Sequence, residues 1–101
     1  MQLYALILRR LDPARLADFL AAHERRLADL HRQGVVLYSG PFAEGGGLTI
    51  FRAASKTDAE RLVAEDPFVV NRTHAPELYA WNPWLTPEAA PDSGRAGQAD
   101  S

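Results

Sequence analysis

The chain begins with an uninterrupted apolar run. Residues 3–8 are apolar at both odd and even positions and are followed by Arg9 and Arg10. A strand that is apolar on both parities is typical of one that is buried on both faces. The pattern therefore predicts a first strand that needs cover on both sides.

An amphipathic helix is predicted next. Asp12 and Pro13 form a helix-start signal, because a carboxylate can accept from free backbone N–H groups and proline's missing N–H costs nothing there. Gly34 is predicted to end the helix as the residue after its C-cap. Apolar residues at spacings of three and four define one face, namely Leu16, Phe19, Leu20, Leu27 and Leu30. His23 lies in the middle of this face.

A hairpin and a second helix follow. Residues 35–42 and 48–51 are rich in β-branched and aromatic residues, and a glycine run separates them. Ser55, with Asp58 three residues later, predicts a helix start of the capping-box kind. That helix is predicted to end at Asp66, because the following proline disfavours α geometry there.

The last part of the chain contains a short strand and a tail. A helical turn is expected after Pro67, and residues 77–81 predict a fourth strand. Residues 86–101 are rich in Pro, Ala, Gly, Asp and Ser and contain no apolar residue larger than alanine. We expect one domain over residues 1–85 and a disordered tail over residues 86–101.

The order strand, helix, strand, strand, helix, strand predicts an α+β, ferredoxin-like βαββαβ fold. In this fold two helices cover one face of a four-stranded antiparallel sheet. The uncovered face would still be apolar, because the strands carry apolar residues on both parities. We therefore expect a homodimer that packs sheet against sheet, a dimeric α/β-barrel-like assembly.

Composition and charge narrow the function classes. The 11 basic and 13 acidic residues give a formal net charge of -2, so no nucleic-acid partner is expected. The chain has no cysteine, which excludes disulfides, a thiolate nucleophile and Cys-based metal sites. No run is long and apolar enough for a signal-peptide core or a membrane span, so we expect a cytoplasmic protein without a membrane partner.

His23 and Asp66 are the strongest candidates for chemistry. A histidine within an apolar helical stripe needs a polar partner. Asp66 extends the apolar stripe of the second helix, and both helices lie on the same sheet face, so the two side chains could meet as a general acid/base pair. Two other interpretations stay open: His23 could bond a backbone carbonyl inside the core, and Asp66 could cap the short helix that follows it.

Other candidates are weaker. His31 lies roughly 12 Å beyond His23 along the helix, too far to share a metal. His74 could join His23 and Asp66 in a two-histidine, one-carboxylate site, although we expect no metal and no cofactor. Ser39 could offer its hydroxyl to a ligand or be an ordinary serine at a strand end.

Several of these features occur together in one family. They are a helix with a central histidine, Gly34, a strand that ends Ser39-Gly40-Pro41, a glycine-rich turn, and a helix that ends Glu65-Asp66-Pro67-Phe68. This ordered set, over residues 1–85, resembles the YCII-related family. The resemblance implies a ferredoxin-like dimer similar to muconolactone isomerase, with an active site on His23 and Asp66. It also implies that Ser39, Gly40 and Pro41 line the substrate pocket.

The function suggested by the resemblance is a cofactor-independent lyase or isomerase that acts on a small organic acid or lactone. His23 would move the proton and Asp66 would hold it in register. A non-catalytic dimeric module that binds a small ligand is one alternative, and a cofactor-free oxygenase-like protein is another. An open, part-polar cleft at His23 would favour catalysis, whereas a closed dry contact would favour a structural histidine.

Overall fold

The computed structural model describes residues 1–87. The strands are β1 (Gln2–Arg10), β2 (Val36–Pro41), β3 (Gly47–Ala53) and β4 (His74–Trp81). The helices are a short 3-10 helix (Pro13–Arg15), α1 (Leu16–Arg32), α2 (Lys56–Ala64) and α3 (Pro67–Val70). The predicted tail, residues 86–101, lies almost wholly outside the described residues.

The four strands form one sheet in the order β2-β3-β1-β4. Each neighbouring pair is antiparallel, with β1 in the centre between β3 and β4. This confirms the predicted α+β fold with a four-stranded antiparallel sheet, and the strand order is that of a ferredoxin-like domain.

The core lies between the helices and one sheet face. Tyr4, Leu6 and Leu8, which alternate along β1, are buried there against Val63 of α2 and Phe68 of α3. Helix α1 packs on the same cluster through partly buried side chains, among them Leu16, Phe19, Leu27 and Leu30. No residue of α1 is fully buried, so its apolar stripe covers the sheet loosely.

The opposite face of the sheet is largely apolar and is not covered by the helices. We call it the open sheet face; its apolar residues are Leu3, Ala5, Ile7, Tyr38, Leu48, Ile50, Tyr79 and Trp81, and it also carries Arg9, Arg52 and Glu77. Tyr38 is 65% exposed and Tyr79 is 54% exposed. The apolar residues at both parities of β1 therefore serve two different surfaces, as the sequence predicted.

Two of the three predicted helix-terminal residues have the predicted role in the structure, and the third does not. Ser55 caps α2 by accepting from the Asp58 backbone N–H at 3.1 Å, and Gly34 follows α1 with a φ of +79°. Asp12, in contrast, makes no capping hydrogen bond within the described residues. The chain first forms a 3-10 turn and α1 begins only at Leu16, so the prediction that Asp12 caps the helix was wrong.

An irregularity in β2 sets the direction of the residues after it. The register between β2 and β3 shifts between Val36 and Tyr38. Such a bulge inserts one residue and reverses the alternation beyond it. Ser39 consequently lies on the helix-covered face, where its hydroxyl meets that of Thr49 at 2.8 Å.

Candidate functional site

His23 and Asp66 meet beneath α1. The Nδ1 atom of His23 lies 2.9 Å from Oδ1 and 3.0 Å from Oδ2 of Asp66. The side chain of His23 is 12% exposed and that of Asp66 is 3% exposed. The contact is therefore shielded from water, where a charge-assisted hydrogen bond is stronger than at the surface.

The local fold places Asp66 at this position. Asp66 follows α2 and is the N-cap of α3, accepting from the backbone N–H of Phe68 at 2.8 Å. The capping interpretation and the histidine-partner interpretation of Asp66 thus hold together. Arg26 approaches the same carboxylate at 3.8 Å and is anchored by donation to the Leu62 carbonyl at 2.6 Å.

These contacts fix the tautomer of His23. An ionised carboxylate only accepts hydrogen bonds, so Nδ1 of His23 carries the hydrogen in the contact with Asp66. No hydrogen bond from within residues 1–87 reaches Nε2 of His23. Nε2 is therefore the free nitrogen of a ring that lines a cleft.

The cleft has a volume of about 430 Å³ and lies between α1 and the sheet. Much of its wall is apolar, formed by Leu8, Leu16, Leu20, Leu27 and Phe68. Polar groups come from Arg10, His23, Glu24, Ser39, Thr49 and His74. An apolar cleft with a few polar groups is the usual form of a small-molecule site.

The predicted pocket residues lie at the same cleft as the histidine. Ser39, Gly40 and Pro41 line it on the side of β2. Asp66 does not line it but lies behind His23. The structure thus brings the predicted residues together, with Asp66 in a position to orient His23 rather than to touch a ligand.

Phe68 separates the two histidines of the cleft. Its ring stacks on His23 with centroids 4.0 Å apart and on His74 with centroids 4.3 Å apart. Two rings can stack this closely only on opposite faces of the phenyl group. The imidazoles therefore cannot share a metal ion, and the alternative of a two-histidine, one-carboxylate site does not hold. Within residues 1–87, no three His, Asp or Glu side chains converge in a way that could hold a metal.

The sequence reasoning missed the positions of Arg10 and Thr49 in the cleft. Arg10 has the parity of Leu6 and Leu8, and this shared parity was the signal that its side chain is on the helix-covered face. Its guanidinium donates to the Glu44 carbonyl at 3.1 Å. Among residues 1–87 no carboxylate forms an ion pair with it.

The other two histidines have distinct environments. His31 is exposed near the end of α1, where its Nδ1 meets the Val36 carbonyl at 2.8 Å, and it does not line the cleft. His74 is only 4% exposed. Burial lowers the pKa of His74, and the nearby His23 and Arg10 act in the same direction, while Asp66 opposes them.

The comparison with known families agrees with this architecture. The YCII-related domain family matches residues 3–82, so the chain belongs to the YCII-related family. The resemblance inferred from the sequence is thereby confirmed.

A solved structure has a similar fold. It is 5-chloro-2-hydroxyhydroquinone dehydrochlorinase from Burkholderia phenoliruptrix AC1100, in complex with 2,5-dihydroxybenzoquinone. The TM-score is 0.61 at 22% sequence identity, with 78% of this chain and 93% of that chain covered. No curated protein sequence matches the chain significantly. In the part of the chain that the structure describes, no helix is long and apolar enough to cross a membrane.

Proposed function

We propose that the protein is a small acid/base enzyme, a cofactor-independent lyase or isomerase that acts on a small organic acid or lactone in the cleft at His23. The observation that carries this proposal is the free Nε2 of His23 at the cleft, with Nδ1 held by the buried carboxylate of Asp66. This is the arrangement of an oriented general base.

The proposed chemistry is a proton transfer through His23. Nε2 accepts a proton from a carbon next to the substrate's carbonyl, and the resulting imidazolium is stabilised by the carboxylate of Asp66. The same proton is returned to another substrate atom in an isomerisation. In an elimination it is passed to solvent as a leaving group departs with its electron pair. In both cases His23 ends the cycle neutral.

The position of Arg10 in the cleft is evidence for an acidic substrate. Its guanidinium lines the cleft and has no carboxylate partner among residues 1–87. A guanidinium can bind a carboxylate through two parallel hydrogen bonds. The paired hydroxyls of Ser39 and Thr49 could take a carbonyl or hydroxyl oxygen deeper in the cleft.

The form of the cleft favours catalysis over a purely structural histidine. The cleft is open to solvent, has mixed polarity, and is of a size that holds a small ring. The structurally similar dehydrochlorinase is in complex with a small oxygenated ring. A related ring compound is therefore a reasonable first probe for this chain.

We also propose that the protein is a homodimer that pairs two open sheet faces. That face carries the exposed aromatic residues Tyr38, Tyr79 and Trp81 beside Leu3 and Ile7. A contiguous apolar surface of this kind is unusual on a monomer. A second copy offers the same apolar surface and so matches it by symmetry.

The proposed chemistry can be tested without knowing the substrate in advance. The protein would be incubated in deuterium oxide with a panel of small carboxylic acids and lactones, and C–H exchange or conversion followed by proton NMR. We expect at least one class to react, and His23→Gln to slow that reaction by about 100-fold or more. His31→Gln is the matched control and should react like the original protein. A panel without any reaction, or a His23→Gln variant that keeps the rate, would overturn the proposal.

A further inference from the structure

His74 is a buried histidine that the chemistry proposed above leaves unused. It begins β4, opposite Arg10 of β1, and lines the same cleft as His23. A histidine that is 4% exposed must place its ring nitrogens carefully, because a buried polar atom without a partner is unfavourable. Its hydrogen bonds show which nitrogen is available.

A short chain of hydrogen bonds fixes the tautomer of His74. The hydroxyl of Thr73 donates to the Phe68 carbonyl at 3.1 Å and lies 3.0 Å from Nδ1 of His74. The hydroxyl has a single hydrogen, and the Phe68 carbonyl takes it. In the contact with Nδ1 the Thr73 oxygen can therefore only accept, and Nδ1 is the donor. The hydrogen of a neutral His74 is therefore on Nδ1, and Nε2 has a free lone pair.

Nε2 of His74 takes part in none of the hydrogen bonds within residues 1–87. It belongs to a ring that is more than nine-tenths buried and forms part of the cleft wall. An unpartnered acceptor in such a place is suited to a hydrogen-bond donor on a bound molecule.

The two imidazoles differ in the group that accepts a hydrogen bond from Nδ1. Nδ1 of His23 donates to a carboxylate, whereas Nδ1 of His74 donates to a neutral hydroxyl. Burial lowers the pKa of His74 and so favours its neutral form, in which Nε2 is an acceptor.

We propose that His74 is a second proton-transfer residue of the cleft, which contacts the substrate through Nε2. This inference rests on the acid/base function proposed above and extends it to a substrate that presents a polar group to each side of Phe68. His23 first takes up the carbon-bound proton at Nε2, as proposed above. Nε2 of neutral His74 then accepts a proton from a substrate hydroxyl, while His23 returns its proton to a second substrate atom. The product leaves as the oxyanion and His74 releases its proton to solvent, so that both imidazoles are neutral before the next turnover.

The substrate class follows from the spacing of the imidazoles. Since a phenyl ring in contact on both faces lies between them, the two polar groups of the substrate must be on separate atoms of a molecule at least the size of one ring. A hydroxylated ring acid or a ring with two oxygen substituents meets this requirement. A small acid with a single functional group does not.

The first test uses 15N-histidine-labelled protein and 2,5-dihydroxybenzoquinone as the probe. We expect the Nε2 resonances of both His23 and His74 to shift on addition of the probe, while those of His31 remain unchanged. A shift at His23 alone would overturn the role of His74 and leave the proposed function standing. No shift at His23 would overturn the proposed function and, with it, this inference.

The second test separates proton transfer from positioning. His74→Gln keeps a hydrogen-bonding group near the position of Nε2 but cannot carry a proton. With a substrate identified by the deuterium-exchange panel, we expect kcat to fall by about 100-fold and KM to change much less. Thr73→Val, which removes the acceptor for Nδ1 of His74, should cause a smaller fall. A His74→Gln variant with unchanged kcat would contradict the proposal even if His23→Gln is inactive.

Discussion

Nδ1 of His23 lies within hydrogen-bond distance of both carboxylate oxygens of Asp66, at 2.9 and 3.0 Å. The same carboxylate caps α3 through the backbone N–H of Phe68. One buried side chain therefore orients the histidine and begins the helix whose phenyl ring stacks on that histidine. The geometry of the site and the local fold depend on the same residue.

Asp66→Asn should preserve the fold and disable the site. Asparagine is also a good N-cap, so α3 should still form. If the amide oxygen keeps the bond to Phe68 N, the amide group donates toward His23 and moves the imidazole hydrogen to Nε2. We expect activity to fall by roughly 10³- to 10⁴-fold, as for other histidines held in the wrong tautomer. Histidine 15N shifts measured beside the rate would report the change of tautomer.

The neighbouring acid supplies the control for this variant. Glu65 is exposed, and within the described part of the chain it reaches only Arg26, at 3.6 Å. Glu65→Gln should therefore leave both the rate and the His23 tautomer unchanged. Equal losses of activity in Asp66→Asn and Glu65→Gln would mean that the removal of a negative charge, and not the contact with His23, accounts for the effect.

His23→Leu should lower stability although leucine suits the apolar stripe of α1. Among residues 1–87, the substitution leaves the buried carboxylate of Asp66 with only the Phe68 N–H and the more distant Arg26 as partners. We expect a cost of about 1–3 kcal/mol in the free energy of unfolding, measured with urea. Adding Asp66→Asn should recover part of this loss, because the buried charge is then absent. Strictly additive effects of the two substitutions would contradict a direct coupling.

The lowered pKa of His74 should make the free energy of unfolding depend on pH. Its pKa in the folded protein is lowered from the ordinary value of 6.5, with burial as the main cause. Below pH 6.5 the unfolded chain therefore binds a proton that the folded protein does not, and stability falls as the pH falls toward the lowered pKa. Above that window the contribution is fully present.

Urea unfolding between pH 5 and 8 would measure this effect. The stability of His74→Gln should depend less on pH below about 6.5 than that of the original protein. His31→Gln, which removes a histidine outside the cleft, is the control for the loss of an imidazole in general. Identical profiles for the original protein and His74→Gln would show that His74 is not the group responsible.

The open sheet face should determine the oligomeric state. Light scattering at micromolar concentration is expected to give twice the chain mass of 11.1 kDa. Ile7→Glu places a second carboxylate opposite Glu77 in that face and should give a monomer, since a charge without a partner at a buried interface is strongly unfavourable. Val70→Glu, at a position on α3 that is 61% exposed, is the matched control and should stay dimeric. A monomeric original protein would refute the proposed dimer.

The fold and the meeting of His23 with Asp66 were predictable because both follow from periodicity. Side chains three or four residues apart share a helix face, and the βαββαβ order places both helices on one side of the sheet. The second role of Asp66, as the N-cap of α3, was also predictable, since an aspartate before a proline is typical of an N-cap.

The remaining details depend on irregularities that periodicity does not encode. The bulge between Val36 and Tyr38 reverses the direction of Ser39, and nothing in the local composition marks it. The environment of His74 depends on a hydroxyl and a carbonyl brought together by the turn after α3. Asp12 failed as a cap because a 3-10 turn precedes α1. Each of these is a tertiary or turn effect that overrides a local preference.

A crystal structure of the protein soaked with 2,5-dihydroxybenzoquinone would show directly whether His23 is the centre of the site. We expect the ring in the cleft between α1 and the sheet, with an oxygen within about 3.2 Å of Nε2 of His23. We also expect Nδ1 of His23 to stay within hydrogen-bond distance of Asp66. A ligand bound elsewhere, an empty cleft at saturating concentration, or a His23 ring turned away from the cleft would contradict the claim that this histidine is the centre of the site.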